Sequence, residues 1–367
     1  MIHNIKSNID GMGGCYLIFK GSALNETIGN RGTSHLIEHL LCKSFDHILD
    51  DMSKDGIKWN ASTSGNTVKF YMTGLDENVS KYKNIMIENV LGGGNITQEE
   101  FDIEKKIVAE EYADNFNDHY SGHFLNLIRK KYNSYGPIGH SEDIKNYTID
   151  RYVKDIKQHY SVPAMIINVS NDPITNNYPT LDKIVYPNKE LQEYTGEFLY
   201  DNINRDNKIN VICMTKIDVE DDATCDIILG MLGSGLNSPL YQEIREKRGL
   251  SYFSYAFGVP VDSGVVNILS ATTSKENVDK LLDTYNMIFN NPSKYFTKER
   301  YDIVQGSYEV QLKTNNIFNY KNISYLHDKY YNLDQLSGIS YEQCLEVYNK
   351  YVNLDNFYIS KDTDFGG

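Results

Sequence analysis

Few of the features that would place a chain outside the soluble globular class occur here. There are five cysteines, Cys15, Cys42, Cys213, Cys225 and Cys344, scattered and never as CxxC. Neither a disulfide framework nor a thiolate metal site is indicated, and a reducing compartment fits best. No apolar run approaches the ~18 residues needed to cross a bilayer, and the opening MIHNIKSNIDGMGG lacks the apolar core of a signal peptide. These absences predict a soluble, cytoplasmic protein with no membrane partner. Basic residues are also short, 36 against 50 acidic ones, and a net charge of −14 opposes binding of nucleic acid. Prolines number only 8, which leaves little cause for disorder.

What is present suits a buried core: 40% hydrophobic and 12% aromatic residues in a chain of 367. That length exceeds what one core usually serves, so two domains are expected. CYLIFK at 15–20 reads as a strand, followed by a glycine-bearing loop and an apolar helix from Ser34. Asn60 to Thr73 reads as one strand, with Val68, Phe70 and Met72 alternating against Lys69 and Tyr71. A helix over 79–90 and the turn Gly92-Gly93-Gly94 follow. Thr97 and Glu100 then form a capping-box pattern that opens a helix running to about Ala113. Further helices are expected at 119–131 and 150–159, and a strand at 164–169. Beyond a linker the order recurs, with a strand at 209–214, helices at 221–232 and 238–247, strands at 252–259 and 265–272, and a helix at 275–289. The organisation expected is a first domain over 1–180, a linker over 181–200 and a second domain over 201–367, two copies of one α+β unit.

His35-Leu36-Ile37-Glu38-His39 carries the chemistry. On a helix, residues four apart lie about 40° from one another, so both imidazoles and Glu38 share one side. Two neutral imidazoles supply part of a tetrahedral zinc site whose open position holds water, and Glu38 is placed to act on that water as general base. This is the order of the inverted zincin motif. Chance puts the pattern in roughly 1 to 2 of 100 such chains, so a third ligand is required to support it. The helix over 98–113 offers one. Glu104 and Glu111, seven residues apart, are nearly eclipsed and share a stripe with Ile107 and Val108. Glu111 as the ligand and Glu104 as the group that orients a histidine would satisfy both carboxylates. Glu110 points about 100° away and is the weaker candidate. His119 and His123 repeat the spacing without a glutamate and are read as surface or packing residues.

Taken together, these segments resemble the M16 family of metallopeptidases, which includes pitrilysin, insulin-degrading enzyme and the mitochondrial processing peptidase. Gly21-Ser22 with Glu26, leading into Gly32-Thr33-Ser34-His35-Leu36-Ile37-Glu38-His39, is similar to the family's turn and zinc helix. Gly56 with Asn60-Ala61-Ser62 resembles the strand edge that pairs with bound peptide. Glu104 to Glu111 resembles the segment carrying the third ligand, which supports Glu111 over Glu110. Leu240 to Tyr252, LYQEIREKRGLSY, is similar to the signature in which an arginine and a tyrosine contact substrate near the scissile bond.

The resemblance implies two similar domains, each a mostly antiparallel β-sheet packed with helices, and one zinc ion per chain held by His35, His39 and Glu111. It implies a peptidase with Glu38 as base, Arg245 and Tyr252 binding the peptide and its oxyanion, and Asn60, Ala61 and Ser62 binding substrate. The substrate would be a peptide or an unfolded protein segment. A two-domain member completes its chamber as a homodimer, with Arg245 and Tyr252 of one subunit serving the other's zinc. The alternative is a noncatalytic or partner-dependent subunit of a processing or scaffold complex. Two departures stand out: the connection between Lys43 and Asp55 is abbreviated, and the N-terminus is short, so its opening strand is expected to be missing or reduced.

Overall fold

The structure is a computed structural model that describes residues 2–20, 23, 26–117, 124, 127–128, 136–181, 208–261, 264–314 and 333–361. His119 and His123, Gly21 and Ser22, all but the first residue of the expected linker, and most of the expected helix over 119–131 lie outside the described residues. The chain divides into two compact units. Unit 1 comprises Met1–Asn115, Ser134–Lys189 and Asn315–Tyr320; unit 2 comprises Phe116–Asn133, Glu190–Thr314 and Lys321–Gly367.

Unit 1 opens with β1 (Ile2–Ile5) and β2 (Met12–Lys20), followed by helices α1 (Thr33–Lys43) and α2 (Asp46–Lys54). The hairpin β3 (Lys58–Thr63) and β4 (Thr67–Leu75) leads to α3 (Asp76–Gly92) and α4 (Gln98–Asn117). Short helices α5 (Ser141–Asn146) and α6 (Ile149–Asp155) precede the closing strand β5 (Met165–Val169). The sheet order is β1-β5-β2-β4-β3, antiparallel except that β1 runs parallel to β5. The opening strand is therefore present in reduced form, four residues long. Strand β2 is buried at Gly13–Cys15 and Leu17–Phe19, and its apolar side chains meet Leu36, Leu40, Phe70 and Val108 in one core.

One sequence expectation needs correction. The single strand over 60–73 is a hairpin: Ser64 closes a turn, its amide donating to Thr67 O at 2.9 Å and its Oγ accepting from the Thr67 amide at 3.1 Å. The residues Gly65 and Asn66 between the strands are the hairpin signal that the β-branched run obscured. The stretch between Lys43 and Asp55 is a helix, α2, with Met52 its buried residue.

Unit 2 repeats the plan. Strand β6 (Lys208–Ile217) leads into α7 (Asp222–Gly233), then a wide helical turn, Tyr241–Glu246, and the hairpin β7 (Ser254–Val261) and β8 (Gly264–Ser274). Helices α8 (Val278–Phe289), α9 (Pro292–Tyr295), α10 (Lys298–Thr314), α11 (Leu333–Gly338) and α12 (Tyr341–Tyr351) precede β9 (Tyr358–Lys361). The sheet order is β7-β8-β6-β9, all antiparallel. Apart from β1, each strand of unit 1 has a counterpart here, hairpin outermost and last strand beside the first, so the expected pair of α+β units is what the chain forms.

Candidate metal centre

Helix α1 carries the motif, and its start is fixed by groups outside it. Gly32, at φ +87°, caps the helix without a side chain. Glu26 supplies the missing acceptor, taking the amides of Gly32 at 2.5 Å and Ser34 at 2.7 Å, where a carboxylate also complements the helix dipole. Arg31, just before the helix, forms a two-pronged ion pair with Asp143 of α5, Nε to Oδ2 at 2.7 Å and Nη2 to Oδ1 at 3.1 Å. A Cβ on Gly139 would sit 2.2 Å from Gly32 Cα, so the loop before α5 lies directly against the helix start. These ties fix where the histidines point.

His35 and His39 lie one turn apart with rings perpendicular and centroids 4.7 Å from each other. Glu111 of α4 faces both, its Oε2 lying 3.6 Å from His35 Nε2 and its Oε1 3.8 Å from His39 Nε2. One donor atom from each residue lies within 4.8 Å of the others, and no other three His, Cys, Asp or Glu side chains among the described residues meet this way. Glu104, one stripe back on α4, accepts from His39 Nδ1 at 3.2 Å. That bond fixes the tautomer, leaving Nε2 of His39 with its lone pair toward Glu111.

The donor set fits zinc. Bonds of ~2.0–2.1 Å at tetrahedral angles put donor atoms about 3.3 Å apart, close to the separations seen, which are themselves too long for hydrogen bonds. Burial, with His39 adding to it, pushes the His35 imidazole down to a pKa of about 4, so it is neutral as a ligand must be. His35 Nδ1 is buried without a hydrogen-bond partner, so the favourable contacts of this ring are those available at Nε2.

Glu38 stands on the same helix, buried, and is not among the three converging donors. Burial pushes its carboxyl above the ordinary range, opposed by a hydrogen bond from Thr63 Oγ1 at 2.7 Å and by His39. Thr63 ends β3, the edge strand of the sheet, and sequence reasoning assigned it no role. Beside Glu38 and His39 a groove of about 400 Å³ is bounded by Cys42, Leu49, Trp59 and Asn60. On the edge strand Asn60 is exposed, Ala61 buried and Ser62 intermediate, and the Ala61 amide is capped by the Asn60 carboxamide at 2.9 Å. A β4 neighbour is therefore not this amide's partner, which marks it as an outward-facing edge group.

The stripe on α4 is narrower than the sequence suggested. Phe101, Glu104, Val108 and Tyr112 are buried, but Ile107 is 38% exposed and Glu111 lies at the margin. The reason is that 107 is three residues from 104 and one short of 108, on the shoulder facing water. Glu110 is exposed and pairs loosely with Lys106.

In unit 2 the structure brings Arg245 and Tyr252 together. The guanidinium carbon lies 4.1 Å from the Tyr252 ring centroid and 4.9 Å from that of Tyr241, a cation held between two aromatic faces. The turn that carries it is fixed by a residue the sequence reading passed over. Glu243, almost wholly buried, accepts from Lys247 Nζ at 2.7 Å, from Tyr295 OH at 2.9 Å and from Arg248. Burial pushes this carboxyl up, but those hydrogen bonds outweigh it and hold it at about 2. Its spacing from Lys247 was the available signal.

Comparison with known proteins agrees with this fold. Residues 13–140 match the family model described as insulinase (peptidase family M16), and residues 138–306 match the one described as peptidase M16 inactive domain. The chain belongs to peptidase family M16, in a short, two-domain form. An uncharacterized zinc protease of Rickettsia bellii is 26% identical over 279 residues, 70% of this chain and 67% of that one. Zinc protease PqqE of Helicobacter pylori is 30% identical over 167 residues, 40% of this chain and 34% of its own length. Among solved structures, a protease from Helicobacter pylori has a TM-score of 0.75 at 17% identity, covering 98% of this chain and 96% of its own. The peptidase M16 inactive domain from Pseudomonas fluorescens has a TM-score of 0.74 at 16% identity, over 98% and 94%. No described helix is long and apolar enough to cross a membrane.

Proposed function

We propose that the chain is a zinc-dependent endopeptidase acting on peptides or unfolded protein segments. The observation that carries this reading is the convergence of His35, His39 and Glu111, with the Glu38 carboxylate on the same helix and outside the ligand set. A zinc ion held there would supply a Lewis acid and lower the pKa of water. Glu38 takes the proton of the attacking water and passes it to the leaving amine. Thr63 holds that carboxylate in place, and Glu104 holds His39. An extended peptide adds as a strand along Asn60, Ala61 and Ser62, displacing the Asn60 carboxamide from the Ala61 amide. Arg245 and Tyr252 bind the peptide and offer donors to its oxyanion.

For assembly we propose a homodimer enclosing a chamber, in which the partner subunit's Arg245 and the partner subunit's Tyr252 complete each active site. Mixing Glu38→Gln with Arg245→Ala chains, each inactive alone, is expected to restore activity; no recovery in verified mixed dimers refutes the exchange.

The first test is cleavage of a quenched-fluorescent peptide library by the wild type and by Glu38→Gln, with zinc measured in both. Activity that falls about 10²- to 10⁴-fold while zinc is retained supports the base. Zinc in both without cleavage by either favours the noncatalytic or partner-dependent subunit, and absence of zinc from both overturns the reading.

A further inference from the structure

Glu243 gathers several donors around the turn of unit 2, and one of them reaches past it. Arg248 Nη1 is engaged at residue 243, by the carbonyl at 3.0 Å and by the carboxylate. The other arm, Nη2, meets the sulfur of Met287 on α8 at 3.4 Å. A guanidinium N–H is a strong donor and a thioether a weak acceptor, so the two are mismatched. The Tyr295 hydroxyl stands 4.0 Å from the same sulfur, but it donates to Glu243 at 2.9 Å, the stronger acceptor.

Met287 also differs from most methionines of the chain. Met52, Met72, Met86, Met165, Met214 and Met231 are all exposed by 2% or less. Met287 is partly exposed, and it lines a groove of about 530 Å³ with Arg248, Asn277, Lys280 and Thr284. The groove admits a small solute to the sulfur and leaves room for one more atom, which the close-packed surroundings of the other six do not. Met12, at the start of β2, is the one other described methionine that is not buried.

We propose that Met287 is a site of reversible oxidation by hydrogen peroxide, and that the sulfoxide locks the turn Tyr241–Glu246 to α8. A sulfur lone pair attacks one peroxide oxygen, the O–O bond breaks, and a proton moves to the departing oxygen. Thioether and hydrogen peroxide thus become sulfoxide and water, with two electrons passing from sulfur to the peroxide. The new oxygen is a strong acceptor, and rotation within the unbranched side chain brings it to Arg248 Nη2. Nη1 stays on Glu243. Oxidation here adds a charge-assisted bond between turn and helix, whereas elsewhere it disrupts apolar packing. A methionine sulfoxide reductase with a thiol reductant reverses it. Neither the site nor its chemistry rests on the peptidase reading, although the turn affected is the one that presents Arg245.

The test treats full-length wild type and Met287→Leu with graded hydrogen peroxide, maps oxidised methionines by peptide mass spectrometry, and measures urea unfolding and amide exchange before and after. Met287 is expected to oxidise at least about ten-fold faster than the six buried methionines. Met287→Leu, which conserves volume, reports what peroxide does at every other residue, Cys42 included. Against that background, amide exchange over 241–249 in the oxidised wild type is expected to slow about three-fold or more, with no fall in the urea midpoint. Arg248→Lys keeps a cation for Glu243 but has no second arm; its oxidised form is expected to show no slowing and a lower midpoint. Should Arg248→Lys fail to fold, Met287→Gln, which offers an oxygen without peroxide, is expected to show the slow exchange unoxidised. Oxidation of Met287 no faster than that of the buried six overturns the site. Exchange that does not slow, or that stays slow once a reductase has removed the sulfoxide, overturns the lock.

Discussion

The two units share a strand plan and differ in what their first helices carry. Sheet orders β3-β4-β2-β5 and β7-β8-β6-β9 correspond strand for strand, and α1 follows β2 as α7 follows β6. Counting from the first residue of each helix, His35, Glu38 and His39 fall opposite Thr224, Ile227 and Ile228. By the same count, Glu104 on α4 falls opposite Val304 on α10, and Glu111 opposite Gln311. In unit 1 the two helices meet through the His39–Glu104 bond. In unit 2 the crossing is close and has no imidazole–carboxylate pair: a Cβ on Gly230 would lie 2.9 Å from Val304, Arg300 Nε bonds Met231 O at 2.9 Å and Tyr308 OH bonds Asp226 O at 3.0 Å. The frame therefore does not require the histidines and glutamates, since the same crossing closes without them. Their presence in unit 1 is a cost in burial that the frame does not explain and that the proposed zinc would offset. That residues 138–306 match a domain described as inactive agrees with the difference.

Importing unit 2 residues into unit 1 is the direct way to break the comparison. His39→Ile, the residue at the matching place in α7, is expected to abolish zinc binding and peptidase activity while the fold, seen by circular dichroism, is retained. An active His39→Ile chain would remove the metal centre from the account altogether.

Unit 2 is tested from the other side, through the turn that presents Arg245. Glu243→Gln leaves Lys247 and Arg248 facing a neutral group in a buried place, and a loss of about 3 kcal/mol is expected. Because the folded carboxyl sits at about 2 against an ordinary 4.5, its contribution is complete above pH 4.5 and is lost as pH falls toward 2. Urea denaturation should show wild type and variant far apart at pH 7 and converging through that acid window. A gap that does not narrow would mean that the ion cluster is not what holds the turn.

Glu104→Val makes the α1–α4 crossing resemble that of α7 and α10 at one position. The fold is expected to persist, because Val304 shows that an apolar residue suits the place. Zinc affinity, by competition with a chelator, is expected to fall about 10- to 100-fold, since His39 loses the acceptor that fixes its tautomer. Unchanged affinity would reduce Glu104 to a packing residue.

Much of unit 1 was legible because its signals are local. The His35–His39 spacing, the Thr97–Glu100 capping box, whose two amide bonds are present at 3.2 and 2.8 Å, and the Glu104–Glu111 stripe each lie within one helix. What the sequence hid depends on distant partners. Thr63 acquires its role only when β3 comes beside α1, and Asp143 only when α5 meets the loop at Arg31. Helix α2 escaped because DHILDDMSK is only nine residues long and sets three apolar residues among acidic ones, although Ile48, Leu49 and Met52 share its inner face. The hairpin was masked by a β-branched run on both sides of a short turn, and the helices after 298 by a sequence rich in polar residues and tyrosine.

Thr63→Val gives the smallest effect and sharpens the comparison most finely, because it alters no proposed ligand. The substitution keeps shape and β-propensity while removing the hydroxyl that donates to Glu38 Oε2 at 2.7 Å. Glu38 remains on α1, whose start is held by Glu26, so the carboxylate stays near its place but loses one restraint. A single hydrogen bond contributes about 1 kcal/mol net, and kcat is expected to fall about 3- to 10-fold, with zinc content and KM unchanged. A fall as large as that of Glu38→Gln would show that orientation by Thr63 governs the base completely. No fall at all would show that α1 alone places the base, leaving the Thr63 hydroxyl without a part in it.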